Sequence, residues 1–158
     1  MEIREYQEKD KKGILELQDE FEKEFFSEFY SNPIRAEWEL DLHNIPFYFL
    51  KKGGNFWVIE KNNEIIGMTG IILVGGNTAE LTRMRIRSSH RRQGLGKKLL
   101  ITVENYCRSL GISTIVLNTA ARLNAARKLY ENHGYELYDK KEILLPFRFI
   151  ILYYRKHL

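Results

Sequence analysis

The residues best equipped for chemistry lie in the run Arg91-Arg92-Gln93-Gly94-Leu95-Gly96-Lys97-Lys98, where four cationic side chains flank two glycines. Leu95, Leu99, Leu100, Val103, Tyr106/Cys107 and Leu110 then recur at helical spacing, and Gly111 supplies a stop. The glycines therefore fall where the first turn of a helix leaves its N–H groups without intrahelical acceptors. Those amides, the positive end of the helix dipole and the nearby Arg and Lys side chains make an anion site suited to phosphate. Glycine at 94 and 96 lets an anion approach the backbone with no Cβ in the way. A solvated basic face would account for the charges alone, but not for glycines at a helix start. The expectation is a loop, from Arg91 through Arg92, Gln93, Gly94, Leu95 and Gly96 to Lys97, that holds a pyrophosphate.

Other chemistries find less support. The four histidines, His43, His90, His133 and His157, are scattered without the spacing of a metal site, so no metal is expected. A Walker sequence, a GxGxxG dinucleotide fingerprint and a GxSxG elbow are all missing. Cys107 is the only cysteine; it falls on the apolar stripe of its helix and reads as a small buried hydrophobe. One cysteine permits no intrachain disulfide. With no recognisable leader, this points to a reducing, cytoplasmic setting. The densest apolar stretch, Ile143 to Tyr154, is interrupted by Pro146 and Arg148, so no membrane span is expected.

The chain has 158 residues with 44% hydrophobic content, enough for one compact domain covering 1–158. Its net charge of +4, from 25 Lys+Arg against 21 Asp+Glu, favours an anionic partner without naming it. The charge is uneven: Glu16 to Glu28 is acidic and Arg83 to Lys98 strongly basic. One end would attract a cation while the other holds an anion.

The elements that must position the loop follow in order. Ile3 to Tyr6 reads as a short strand. Asp10 is placed to cap a helix with Ile14, Leu17, Phe21 and Phe25 on one face. Pro33 opens a second helical piece containing Ile34, Trp38 and Leu42. Most aromatics between Phe21 and Leu50 read as core, with a few available to wall a pocket. Phe56–Glu60 and Ile65–Val74 form a hairpin, and a further strand begins near Ala79. Along that strand the apolar alternation breaks between Leu81 and Met84. Either one extra residue forms a β-bulge, leaving backbone groups unpaired beside the loop, or the strand has mixed faces. After the long helix come a buried strand over Ile112–Leu117, a helix capped by Asn124 and closed by Gly134, and strands over Tyr135–Tyr138 and Phe147–Tyr154. This order describes an α+β domain with a mixed sheet.

Arg91-x-x-Gly94-x-Gly96 after a strand ending Met84-Arg85-Ile86, followed by Asn124-x-x-Ala-x-x-Leu129-Tyr130-x-x-x-Gly134-Tyr135, resembles the GNAT superfamily of acyl-CoA-dependent N-acyltransferases. The resemblance is specific from Glu80 to Tyr135, and the element order extends it over the domain. It implies a mostly antiparallel sheet with helices on both faces and a splayed, bulged central strand. It implies acetyl-CoA as co-substrate, with its pyrophosphate on the Arg91–Lys97 loop. Met84, Arg85 and Ile86 would pair the pantetheine arm through their backbone, where an N–H would also stabilise the tetrahedral oxyanion. Asn124 would hydrogen-bond the pantetheine, and Tyr130 would protonate the departing thiolate. Glu80 would take the proton of the attacking amine through a water, or else serve as a surface carboxylate. The side chains of Arg83, Arg85 and Arg87 read as surface or salt-bridged groups. Relatives that acetylate protein N-termini commonly carry an acidic residue shortly before the motif Asn; here Thr119 stands there, which weakens that branch.

The function this implies is transfer of an acetyl group to a primary amine by direct attack in a ternary complex, the acidic and aromatic N-terminal segment suggesting a cationic acceptor. A homodimer through the apolar last strand is a further analogy. One alternative is a non-catalytic CoA-binding sensor or interaction module. A nucleic-acid binder is another, disfavoured because the aromatics lie far in sequence from the basic run, so no partnership with nucleic acid is expected.

Overall fold

A computed structural model describes residues 1–158. Seven strands form one sheet in the order β1-β2-β3-β4-β5-β7-β6. They are β1 (Glu2–Glu5), β2 (Asn55–Lys61), β3 (Glu64–Gly75), β4 (Thr78–Ile86), β5 (Thr114–Ala120), β6 (Glu136–Ile143) and β7 (Phe149–His157). Every neighbouring pair is antiparallel except β4 with β5. The β2–β3 turn is closed by Asn62 and Asn63, both with positive φ, as a two-residue hairpin requires. No helix is long and apolar enough to cross a membrane.

Three helices match the expected segments: α1 (Lys11–Phe25) and those at Leu95–Ser109 and Asn124–Asn132. Between α1 and β2 the expected single helix from Pro33 is instead a run of one-turn pieces: α2 (Ser27–Tyr30), α3 (Arg35–Trp38), α4 (Leu40–His43) and α5 (Ile45–Tyr48). Then follow α6 (Leu95–Ser109) and α7 (Asn124–Asn132). Alternation along β2 shows why both faces need helices. Phe56 and Val58 join Ile14, Leu17, Leu42 and Met68 in a core under α1, α4 and α5. Trp57 and Ile59 join Leu99, Leu100, Val103 and Tyr130 in a larger core under α6 and α7. Each fully buried Leu, Ile or Phe contributes about 1.5–3 kcal/mol, so both layers hold the sheet.

Two local expectations differ from the structure. Asp10 holds the cap position of α1, but its side chain makes no capping bond there: it accepts from the Gln7 amide at 2.8 Å and from Arg4, which also bridges to Glu60 at 2.6 Å. A carboxylate already held by a guanidinium in the β1–β2 layer is unavailable to the helix. Asn124 does not cap α7 either; Leu123 holds the cap position, and Asn124 is the first helical residue with no capping bond from its side chain. The apolar strand β7 is paired on both edges, to β5 and β6.

Candidate functional site

The break in apolar alternation on β4 is a β-bulge. Met68 pairs with Arg85 and Gly70 with Thr82, so β4 spends three steps where β3 spends two. Arg83 absorbs the extra residue at φ +60°, a left-handed conformation that costs an ordinary side chain about 1–2 kcal/mol. Its guanidinium is anchored across the gap by Asp41 at 2.7 Å. On the other edge of β4, pairing with β5 covers only Thr78–Glu80 against Thr114–Val116. Beyond Glu80 the two strands part while β5 continues along β7 to Ala120. The backbone of Met84, Arg85 and Ile86 therefore borders an opening in the middle of the sheet.

That opening is one wall of a cavity of about 940 Å³, near the upper end of the usual ligand-pocket range. Its floor at one end is the start of α6. Gly94 caps this helix at φ +74° with no side-chain cap, so the amides of Leu95, Gly96 and Lys97 point outward without intrahelical acceptors. Arg92 also has positive φ, +61°, and turns the chain into this cap. The two glycines have different causes. Gly94 is required by its left-handed backbone, whereas a Cβ on Gly96 would lie 3.1 Å from Leu129 Cδ2, so Gly96 also lets α7 pack close.

Of the expected cofactor residues, Met84, Arg85, Ile86, Arg91, Arg92 and Gly94 line the cavity, as do Leu95, Gly96, Lys97, Asn124 and Tyr130. Gln93 does not, and neither does Glu80. Glu80 sits on β4 before the strands part, opposite Ile72 and Val116, with no ion pair or hydrogen bond; burial alone raises its carboxyl above the usual carboxylate range. Arg91 donates to Glu24 at 2.6 Å and lies over the Phe25 ring, whereas Arg92 and Lys97 have no carboxylate partner.

Tyr130 is buried among Tyr135 and Tyr154, with ring centroids 5.8 and 6.3 Å away. Its neighbours each spend their hydroxyl, Tyr135 on Glu104 at 3.2 Å and Tyr154 on Glu131 at 2.7 Å. Tyr130 has no protein acceptor and lines the cavity. Burial pushes its phenol up to about 12, against a smaller downward pull from the Arg85 charge, so it keeps its proton at neutral pH.

The opposite wall uses some of the N-terminal aromatics expected to be available for a pocket, together with two from the C-terminal strands that sequence reasoning did not place there. Phe21, Phe25, Phe26 and Phe29 line it from α1, α2 and the residue between them, and Phe147 from the β6–β7 connection and Phe149 from the start of β7 reach it. Phe26 contacts both, at 6.1 and 6.0 Å between ring centroids. Only their aromatic type was a signal, because the sequence separation hides the meeting. The acidic character of α1 is also spent differently from the expectation that it attracts a cation. Glu20 pairs with Arg87 at 2.9 Å, Glu24 with Arg91 and Glu28 with Arg122 at 2.8 Å, while Asp19 and Glu22 both hold Arg35. The Glu20, Glu24 and Glu28 pairs join α1 and α2 to the segments after β4 and β5, while Arg35 ties α3 to α1.

A sheet split at a bulge, with an open helix start at one end of the gap and a buried, unpartnered phenol beside it, leaves free amides, basic side chains and an unpaired strand edge facing one cavity. The chain belongs to the acetyltransferase (GNAT) family, whose model matches residues 14–135. It is 29% identical to N-acetyltransferase 8F1 of Rattus norvegicus over 115 residues, covering 70% of this chain and 52% of that protein. The chain thus spans about half the length of the curated relatives it matches. Among solved structures, a GNAT-family acetyltransferase of Staphylococcus aureus Mu50 shares the fold with a TM-score of 0.80 and 28% identity, over 99% of this chain and 98% of that one. The PaiA N-acetyltransferase of Thermoplasma acidophilum, solved in complex with coenzyme A, has a TM-score of 0.79 at 20% identity, over 99% and 98%. At that identity the likeness is one of fold.

Proposed function

We propose that this protein is an N-acetyltransferase that moves an acetyl group from acetyl-CoA to a primary amine, by direct attack in a ternary complex. The carrying observation is the shared cavity: the Gly94–Lys97 helix start, the opened edge of β4 and the unpartnered Tyr130 hydroxyl all face it. Family membership supports acetyl transfer in general.

In this reading the outward amides of Leu95, Gly96 and Lys97, with Arg92 and the Lys97 side chain, bind the diphosphate. Arg91 joins them by sharing its charge between the ligand and Glu24. Met84, Arg85 and Ile86 hydrogen-bond the pantetheine as an added strand, and Asn124, free of capping duty, reaches it from α7. A backbone N–H at the bulge receives the developing oxyanion. As the tetrahedral intermediate collapses, the C–S bond breaks and Tyr130 Oη gives its proton to the thiolate. No enzyme nucleophile is needed; Cys107 is fully buried and its thiol is pushed up to about 11 by burial.

The acceptor amine, with a pKa of about 10 like lysine, must first lose a proton. Glu80 accepts it through water: its raised affinity and lack of a partner suit a base, and its position outside the cavity lining requires the relay. Glu22 is the second reading, because it lines the cavity itself, although Arg35 and Gln18 already occupy its oxygens.

Isothermal titration with coenzyme A and a thiol-release assay over an amine panel test the proposal together. Binding heat and amine-dependent thiol release are expected. Tight binding with no release from any amine would favour a CoA sensor, and no binding would remove the reading altogether.

A further inference from the structure

Arg85 differs from every other arginine facing the N-terminal helices. Arg83 is neutralised by Asp41, Arg87 by Glu20 and Glu64, Arg91 by Glu24 and Arg122 by Glu28. Arg85 has no carboxylate within 4 Å. Alternation past the bulge sends Met84 and Ile86 to the α6 face, where they pack on the larger core, and sends Arg85 to the α1 face. There its guanidinium carbon stacks 3.7 Å above the Phe21 ring. Nε donates to Gln18 Oε1 at 3.1 Å and Nη1 to the Met84 carbonyl at 3.0 Å; Nη2 has no protein acceptor.

The surroundings make this arrangement costly unless something completes it. Arg85 lines a cavity whose acceptor side is walled by Phe21, Phe26, Phe29 and Phe147, and the α1 carboxylates that could balance it are held by other arginines. A half-buried charge lining a largely apolar cavity with no carboxylate partner of its own is costly until a ligand supplies one. A planar guanidinium with free donors is matched geometrically by a carboxylate. The diphosphate cradle is a separate feature, on the other face of β4 at the α6 start.

We propose that the acceptor is a carboxylate-bearing amine, an α-amino acid with an apolar side chain, whose carboxylate is bound by Arg85 and whose side chain enters the phenylalanine wall. This rests on the acetyl-transfer reading and specifies its acceptor. Arg85 then acts as a specificity-determining residue, holding the amine at a fixed offset from the thioester. The acidic segment closes the site through its ion pairs and does not recruit a cation.

Matched acceptors test it: L-phenylalanine and L-leucine against phenethylamine, isoamylamine and the two amino-acid amides. A charged hydrogen-bond pair predicts that kcat/KM falls on the order of 10–100-fold when the carboxylate is removed. Arg85→Gln should erase that preference, and Arg85→Lys should keep part of it. A binding readout stands apart from turnover: with coenzyme A present, N-acetyl-L-phenylalanine should bind the wild-type protein measurably tighter than N-acetylphenethylamine, and Arg85→Gln should equalise the two. Equal or better use of the decarboxylated amines, or equal binding of the two acetyl compounds, would overturn the inference. Absence of thiol release from every acceptor would instead count against acetyl transfer and leave the binding comparison to decide the role of Arg85.

Discussion

Replacing Tyr130 by Phe removes one oxygen from a position where the protein itself makes no use of it. The hydroxyl has no hydrogen-bond partner, so its loss strands no donor or acceptor, and the ring keeps its contacts with Tyr135 and Tyr154. Stability should therefore move by no more than about 0.5 kcal/mol, a melting shift of about 1–2 °C at this chain length. Catalysis should respond very differently. A positioned general acid is worth about 10²–10⁴ in rate, or about 3–5 kcal/mol of barrier. Stopped-flow or steady-state thiol release should show kcat reduced by that factor, with the coenzyme A dissociation constant from titration changed less than about threefold. Because the wild-type phenol is pushed up to about 12, its rate should not fall through loss of this proton below about pH 10. Tyr154→Phe is the control: it abandons Glu131, and should cost stability of about 1–3 kcal/mol while sparing kcat. If Tyr130→Phe kept more than a tenth of wild-type kcat, the thiolate would be leaving without help from this residue and the assignment would fail.

Further outcomes follow from other parts of the site. Gly94→Ala puts a side chain at φ +74° with nothing within 4 Å, so chemical denaturation should show a loss of about 1–2 kcal/mol from backbone strain alone. Glu80→Gln should abolish the acid limb of the kcat/KM profile if Glu80 is the base, whereas the same loss in Glu22→Gln and not in Glu80→Gln would transfer that role. Burial, then the adjacent Glu22, raises Glu39 from an ordinary 4.5 to about 7. The native state thus holds that proton more tightly than the unfolded chain, so this contribution is complete below pH 4.5 and disappears as pH rises through 7. Denaturation midpoints between those values should fall with pH more steeply in the wild type than in Glu39→Gln; parallel slopes would contradict the shift.

What the amino-acid sequence determined about this protein is what short-range physics encodes. The Gly94 turn into α6 follows from a glycine at a helix start, and the break in alternation between Leu81 and Met84 was visible because side-chain alternation has period two, although the pairing of β3 with β4 was needed to make it a bulge and not a strand with mixed faces. Asn62-Asn63 closes a hairpin through residues tolerant of positive φ. Only the tertiary structure decided the rest. Asp10 and Asn124 carried capping propensity, but one was taken by Arg4 and the other stands one place inside a helix whose cap is Leu123. Asp19, Glu20, Glu22 and Glu24 of α1 were neutralised by arginines 13 to 67 positions away and Glu28 of α2 by one 94 away, and Phe147 met Phe26 across more than a hundred residues. Glu80 lies outside the cavity and Arg85 faces into it, because the side on which each β4 residue emerges depends on where the bulge falls and what packs on each face. Charge pairing and cavity walls depend on which surfaces the fold brings together, and no local pattern along the chain carries that information.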